Sequence, residues 1–138
     1  MSSAEVQTAV DHGDGTARLD SIPWFVRGLA CGDVVVTEPD EEGVRWAGEV
    51  VRCSGNCTIR LIVFRDGGSG PARQSVINAF RDLGVDGEGI GRFGMVALDV
   101  PPTADLAKVR RLLDHGVVKE WWDMEEGCIT DRWRAVSA

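Results

Sequence analysis

No apolar run in the 138 residues approaches the roughly 20 that a bilayer-spanning helix needs, so no membrane span and no membrane partner are expected. The opening stretch MSSAEVQTAVDHGDG has neither the basic nor the apolar segment of a secretory signal, and a cytoplasmic location is the expectation. Histidine is scarce: His12 falls in a turn and His115 at a predicted helix end, and neither stands beside a nucleophile in sequence. GxSxG, HExxH and P-loop patterns are all absent, so no recognisable catalytic set is present. A surplus of cations is lacking too. The formal charge is −7, and an acidic field repels phosphate backbones, so nucleic acid is not an expected partner. Internal repeats and low-complexity segments are missing as well.

The acidity is uneven. Residues 1–57 carry four Arg and ten Asp or Glu, whereas residues 58–138 are close to balanced. Four cysteines are present, Cys31, Cys53, Cys57 and Cys128, and only Cys53 and Cys57 are close in sequence, as CSGNC. If the flanking segments formed a hairpin, the two thiols would be cross-strand neighbours with Cβ atoms roughly 4.5–5.5 Å apart. That spacing is near what a disulfide or a shared metal requires. A closed zinc site wants four ligands, and the remaining Cys and His residues are distant singletons. The expectation is therefore reduced, turn-flanking cysteines and no metal or other cofactor, with Cys53 and Cys57 as the weak alternative.

The hydrophobic pattern changes period near the middle of the chain. Short β-like runs fill the first part: Val6 to Val10, Thr16 to Ile22, DVVVTEP (33–39) and VRWAGEVVRC (44–53), with DHGDG (11–15) and PDEEG (39–43) as turns. TIRLIVF (58–64) is apolar on both faces and reads as a doubly buried strand. Helical spacing follows at Val76, Ile77, Phe80 and Leu83, with Pro71 suited to the first turn and Gly84 to the stop. VDGEGI (85–90) and GRFGMVALDV (91–100) read as strands. Thr103 is the expected cap of a second helix through Leu106, Val109, Leu112 and Leu113, and Gly116 its expected end. VVKEWWDM (117–124) is the last expected strand, and the tail is expected to pack through Ile129 and Trp133. GIGRFG (89–94) matches GxGxxG literally, yet it follows a helix and precedes a strand, the reverse of a dinucleotide fingerprint.

This order predicts an α+β fold. A small, strongly bent N-terminal β unit (1–57), of small-barrel character, packs on or continues a ferredoxin-like βαββαβ half (58–138), the two forming one compact structural domain. Two helices cover one face of such a sheet, so the N-terminal unit is the expected cover for the other.

Several side chains are candidates for a site. Asp123, Glu125 and Glu126 at the end of the last strand could do acid–base work or grip a cation, or simply be solvated. Arg60 interrupts an apolar strand and needs an acidic partner, with Glu49, Asp99 or Asp123 expected. Among the five tryptophans, Trp24 and Trp121 are candidate ligand contacts, because Trp121 and Trp122 are adjacent and point opposite ways on a strand.

The stretch DSIPWFVRGLACGDVVVTEPDEEGVRWAGEVVRCSGNCTIRLIVF, together with LGVDGEG, ALDVPP and WWDMEEGC, resembles a bacterial family known only as domain of unknown function 4265. The resemblance covers most of the chain after about residue 16. It implies no particular activity. Arg27, Thr58 and Arg60 match the family pattern and are its polar groups best able to serve a ligand, whereas Cys53 and Cys57 stand where relatives carry non-thiol residues.

The leading expectation is a non-metal binding or accessory protein that holds a peptide, partner protein or small molecule where the two halves meet, with Arg27, Thr58, Arg60, Trp24 and Trp121 as contacts. The alternatives are a small enzyme using Asp123, Glu125 or Glu126 with Arg60, and an immunity-type protein masking a basic partner. Oligomeric state is left open, a homodimer included.

Overall fold

The computed structural model describes residues 4–5, 9–20, 22, 28–39, 41, 45–90 and 94–136. Trp24 and Arg27 lie outside these residues, and Trp46 is described by its backbone alone. Two antiparallel sheets and three helices make up the described chain.

The first sheet holds β1 (Ala4–Glu5), β2 (Ala9–Asp11), β3 (Thr16–Leu19), β4 (Val34–Pro39) and β5 (Arg45–Arg52), in the order β1-β5-β4-β3-β2. DHGDG turns β2 into β3 as expected, with His12 N–H donating to the Thr16 carbonyl at 3.0 Å. The β4–β5 ladder slips register between Val34 and Val35 and again between Val35 and Thr37. Such slips bend and twist a strand pair. The edges β1 and β2 do not pair with each other among the described residues, so the expected barrel character is an open, bent sheet. Among the described residues its own buried cluster centres on Leu19, Leu29 and Val35.

The second sheet is built from β6 (Cys57–Val63), β7 (Asp86–Ile90), β8 (Met95–Val100) and β9 (Trp122–Cys128), in the order β7-β8-β6-β9. Helix α1 (Gly70–Arg81) joins β6 to β7, and α2 (Leu106–Val118) joins β8 to β9, which gives the strand–helix–strand–strand–helix–strand order read from the sequence. Ile59, Leu61, Val96 and Leu98 point to the helices and meet Ile77, Phe80, Val109 and Leu113 in the main core. Each such side chain, removed fully from water, contributes about 1.5–3 kcal/mol. A last short helix, α3 (Asp131–Arg134), closes the core with Trp133, which is 1% exposed, so the tail packs as expected.

Helix α1 begins as the sequence implies: Ser69 accepts from Ala72 N–H at 3.3 Å and proline occupies its first turn. Helix α2 differs at both ends. Its cap is Asp105, accepting from Lys108 N–H at 3.2 Å, and not Thr103. It runs on through Gly116 to Val118, so the final strand starts at Trp122 and not at Val117. Gly116 is therefore no stop signal. A Cβ there would fall 2.1 Å from Trp122 Cζ2, and the missing side chain lets the indole lie against the helix and donate Nε1–H to the Leu113 carbonyl at 3.1 Å.

The CSGNC segment is not a hairpin turn. β5 and β6 belong to different sheets and do not pair, so residues 53–56 are the link that crosses from one sheet to the other. Its polar groups are tied to the junction. The buried Asp33 carboxylate accepts from Ser54 N–H at 2.8 Å and from Ala30 N–H at 3.0 Å, and Asn56 Nδ2 donates to Asp99 Oδ1 at 3.0 Å. Cys53 is left exposed and Cys57 is buried in the main core, and all four cysteines are free thiols.

The loop between β3 and β4 meets the second sheet at one end, on the face opposite the helices. Thr58 Oγ1–H donates to the Leu29 carbonyl at 3.2 Å, and Gly28 N–H donates to the Gly127 carbonyl at 2.8 Å. Burial on both faces, expected for all of TIRLIVF, holds from Thr58 to Leu61 and fails beyond: Ile62 is 46% and Phe64 52% exposed.

Candidate functional site

Where the N-terminal unit stops covering the second sheet, a cavity of 730 Å³ opens beside β9, lined by Arg60, Ile62, Met95, Asp123, Met124, Glu125, Glu126 and Ile129. β6 and β9 pair with Arg60 opposite Glu125 and Ile62 opposite Asp123, so these four share one face. Along β9 the side chains alternate, which puts Met124 and Glu126 on the other face. The cavity therefore extends from the sheet face over Met95 and Ile62 to β9, where residues from both faces of the strand line it.

Arg60 is the buried charge of the site, 4% exposed. A partner among the described residues is Glu125, which is none of the three expected: Nε and Nη2 both donate to Glu125 Oε1, at 2.9 and 2.7 Å. The guanidinium occupies the space beside Gly127, where a Cβ would come within 2.5 Å of Nη2 and 2.7 Å of Cζ. Gly127 went unnoticed in the sequence reading. The signal available was a glycine beside the carboxylates on the strand that pairs with Arg60. The other two carboxylates are also engaged. Glu126 accepts the Trp133 indole N–H at 2.5 Å, and Asp123 Oδ1 accepts Met124 N–H at 2.9 Å.

The structure thus brings together Arg60, Asp123, Glu125 and Glu126. Thr58 lies elsewhere, fully buried in its bond to Leu29. Trp121 is 38% exposed at the turn before β9, edge-on to His115 with ring centroids 5.1 Å apart, and is not among the lining residues. Cys53 and Cys57 are outside the cavity too, and Cys57 Sγ lies 3.6 Å from Thr130 Oγ1. Among the described residues no group of three or more His, Cys, Asp or Glu is arranged to hold a metal ion.

A second polar cluster sits under the N-terminal unit. Burial, above all, raises the Asp99 carboxyl, and Asp86 and Asp33 add to it, while bonds from Asn56 and Cys31 oppose the rise. Burial followed by the Asp99 charge pushes the Cys31 thiol up to about 11. Burial, then Asp33, pushes Cys128 up to about 11 as well. Cys31 and Cys128 are therefore half-buried, protonated thiols at neutral pH, unlike an activated thiolate. A further concavity, of 460 Å³, lies between the helices on the opposite side, lined by Ala79, Leu83, Lys108, Arg111, Leu112 and His115.

The family model for a domain of unknown function, DUF4265, matches residues 5–124. The chain belongs to this family. No curated protein matches it. A solved structure of a hypothetical protein from Neisseria gonorrhoeae is similar, with a TM-score of 0.71 and 17% identity, covering 94% of this chain and 96% of that one. At that identity the likeness concerns the fold alone. Among the described residues no helix is long and apolar enough to cross a membrane.

Proposed function

We propose that this DUF4265 chain is a binding or accessory protein, and that its site is the cavity beside β9, whose described lining comes from residues 58–138 alone and not from the junction of the two halves. The ligand carries a positive charge next to an apolar group. The observation that carries this reading is the lining: Ile62, Met95, Met124 and Ile129 supply apolar surface, and three carboxylates face one cation. Arg60 is held by Glu125, so among the described lining residues the surplus charge is negative. An apolar wall with a few placed charges is the usual make-up of a ligand site. A peptide, a partner protein or a small molecule can each present such a group.

The engaged state of the carboxylates favours binding over catalysis. Each already accepts a hydrogen bond from a neighbour, and no Ser, Thr, Cys or His is among the described lining residues.

Calorimetry with two probes of equal length tests the reading. Hexylammonium is expected to bind in the millimolar range, about −4 kcal/mol, and hexanoate at least tenfold more weakly. Substituting Asp123→Asn is expected to narrow that gap. Equal affinity for the two probes, or no binding of the amine, would overturn it.

A further inference from the structure

Among the described residues β9 is an edge strand: the sheet order ends with it. The phase of its backbone is set by the hydrogen bond from Phe64 N–H to the Trp121 carbonyl, 2.9 Å long. In an antiparallel pair, bonded and non-bonded partners alternate. Ile62 with Asp123 and Arg60 with Glu125 are therefore bonded pairs in the same ladder. The N–H and C=O groups of Trp122, Met124 and Glu126 consequently point away from β6, toward the cavity. The bond from Met124 N–H to the Asp123 side chain fits that direction, because a short carboxylate occupies the place a neighbouring strand would take. Beyond these residues the edge is closed by Gly28, which donates to Gly127.

An edge with outward backbone groups is a template for another strand unless it is covered or protected by charge. Here the groups open into a cavity walled by apolar side chains from both faces of the strand, with Asp123, Glu125 and Glu126 set along it. Resting on the binding reading above, we infer that the ligand is an extended segment of a partner protein, alternating basic and apolar residues, added to the sheet beside β9. Main-chain bonds to Met124 and Glu126 supply affinity, and the alternating walls supply selection. Charge complementarity names the partner's chemistry. Lysine or arginine side chains of the added strand fall on the face that carries Asp123, and its apolar side chains fall on the other face, beside Met124 and Ile129.

The test uses the full chain and a capped hexapeptide of alternating valine and lysine. Two N-methylated versions accompany it, one methylated on each alternate set of amides, with hexylammonium as the non-peptide control. Titration is followed by amide hydrogen exchange. The expected result is that the parent peptide binds, that one methylated version loses at least tenfold in affinity while the other keeps it, and that exchange at Met124 and Glu126 slows at least tenfold. Replacing Asp123→Lys is expected to weaken the peptide about tenfold at low salt. If both methylated versions bind like the parent and exchange at those amides is unchanged, strand addition is wrong, while hexylammonium binding leaves the cavity reading standing. If neither peptide nor amine binds, both are wrong.

Discussion

Replacing Gly127→Ala strikes the contact that positions the buried charge. The added methyl would come within 2.5 Å of Arg60 Nη2, 2.7 Å of Cζ and 3.0 Å of Nη1. The guanidinium is the flexible end of a side chain, yet it is 4% exposed and tied by two bonds to Glu125. It must either slide off Glu125 or force β9 outward. Overpacking of this kind costs about 1–3 kcal/mol, and loosening a buried charge from its partner adds toward the upper end. Glu125 is 44% exposed, so water offsets part of the electrostatic loss. The expected total is about 2 kcal/mol, or roughly 6–10 °C in Tm for a chain of this size. Urea denaturation of four proteins measures it: the wild type, Gly127→Ala, Arg60→Leu and the double variant. Because the clash requires the guanidinium, Gly127→Ala is expected to cost under about 0.5 kcal/mol in the Arg60→Leu background. A full penalty there, or no penalty in the wild type, would refute the argument.

Thiol titration at pH 8 is expected to find one fast cysteine, the exposed Cys53. Cys31 and Cys128, pushed up to about 11, are expected to react slowly, and Cys57 only on unfolding. The raised Asp99 carboxyl favours the folded state while protonated; this contribution is complete below its unfolded value and is lost as pH rises through its folded value. The difference in Tm between Asp99→Asn and wild type is therefore expected to move in favour of the variant as pH goes from 3 to 7, and a flat difference would contradict the assignment. Trp133→Ala removes a 1%-exposed side chain and the donor to Glu126, and chemical denaturation is expected to show a loss of about 3–5 kcal/mol. Gly116→Ala, with Trp122 2.1 Å from the new carbon, is expected to displace the indole and to shift the Trp fluorescence spectrum.

Periodicity carried most of the fold. The shift from β-like runs to helical spacing after residue 64 corresponds to α1 and α2, and the four strands around them pair as their order implies. The departures have local causes that a single sequence does not display. Gly116 looks like a helix stop because a glycine accommodating a distant Trp122 and a glycine ending a helix read alike. CSGNC looks like a hairpin because two strands flank it, while the link to the other sheet is fastened at Ser54 by Asp33, buried 21 positions away in the chain. The site was half legible. Arg60, Asp123, Glu125 and Glu126 were singled out by type and do converge, but their partners depend on strand register, which placed Glu125 and not Asp123 opposite Arg60. Gly127 and the apolar walls became visible only once β9 was known to be an edge.

The central claim is that the cavity beside β9 takes a cationic, apolar group. Methyl NMR with hexylammonium locates the binding directly. Saturable shifts are expected at Ile62, Met95, Met124 and Ile129, with Leu83 and Leu112 in the groove between the helices unmoved. Shifts confined to Leu83 and Leu112, or none at any concentration that calorimetry can reach, would contradict the account.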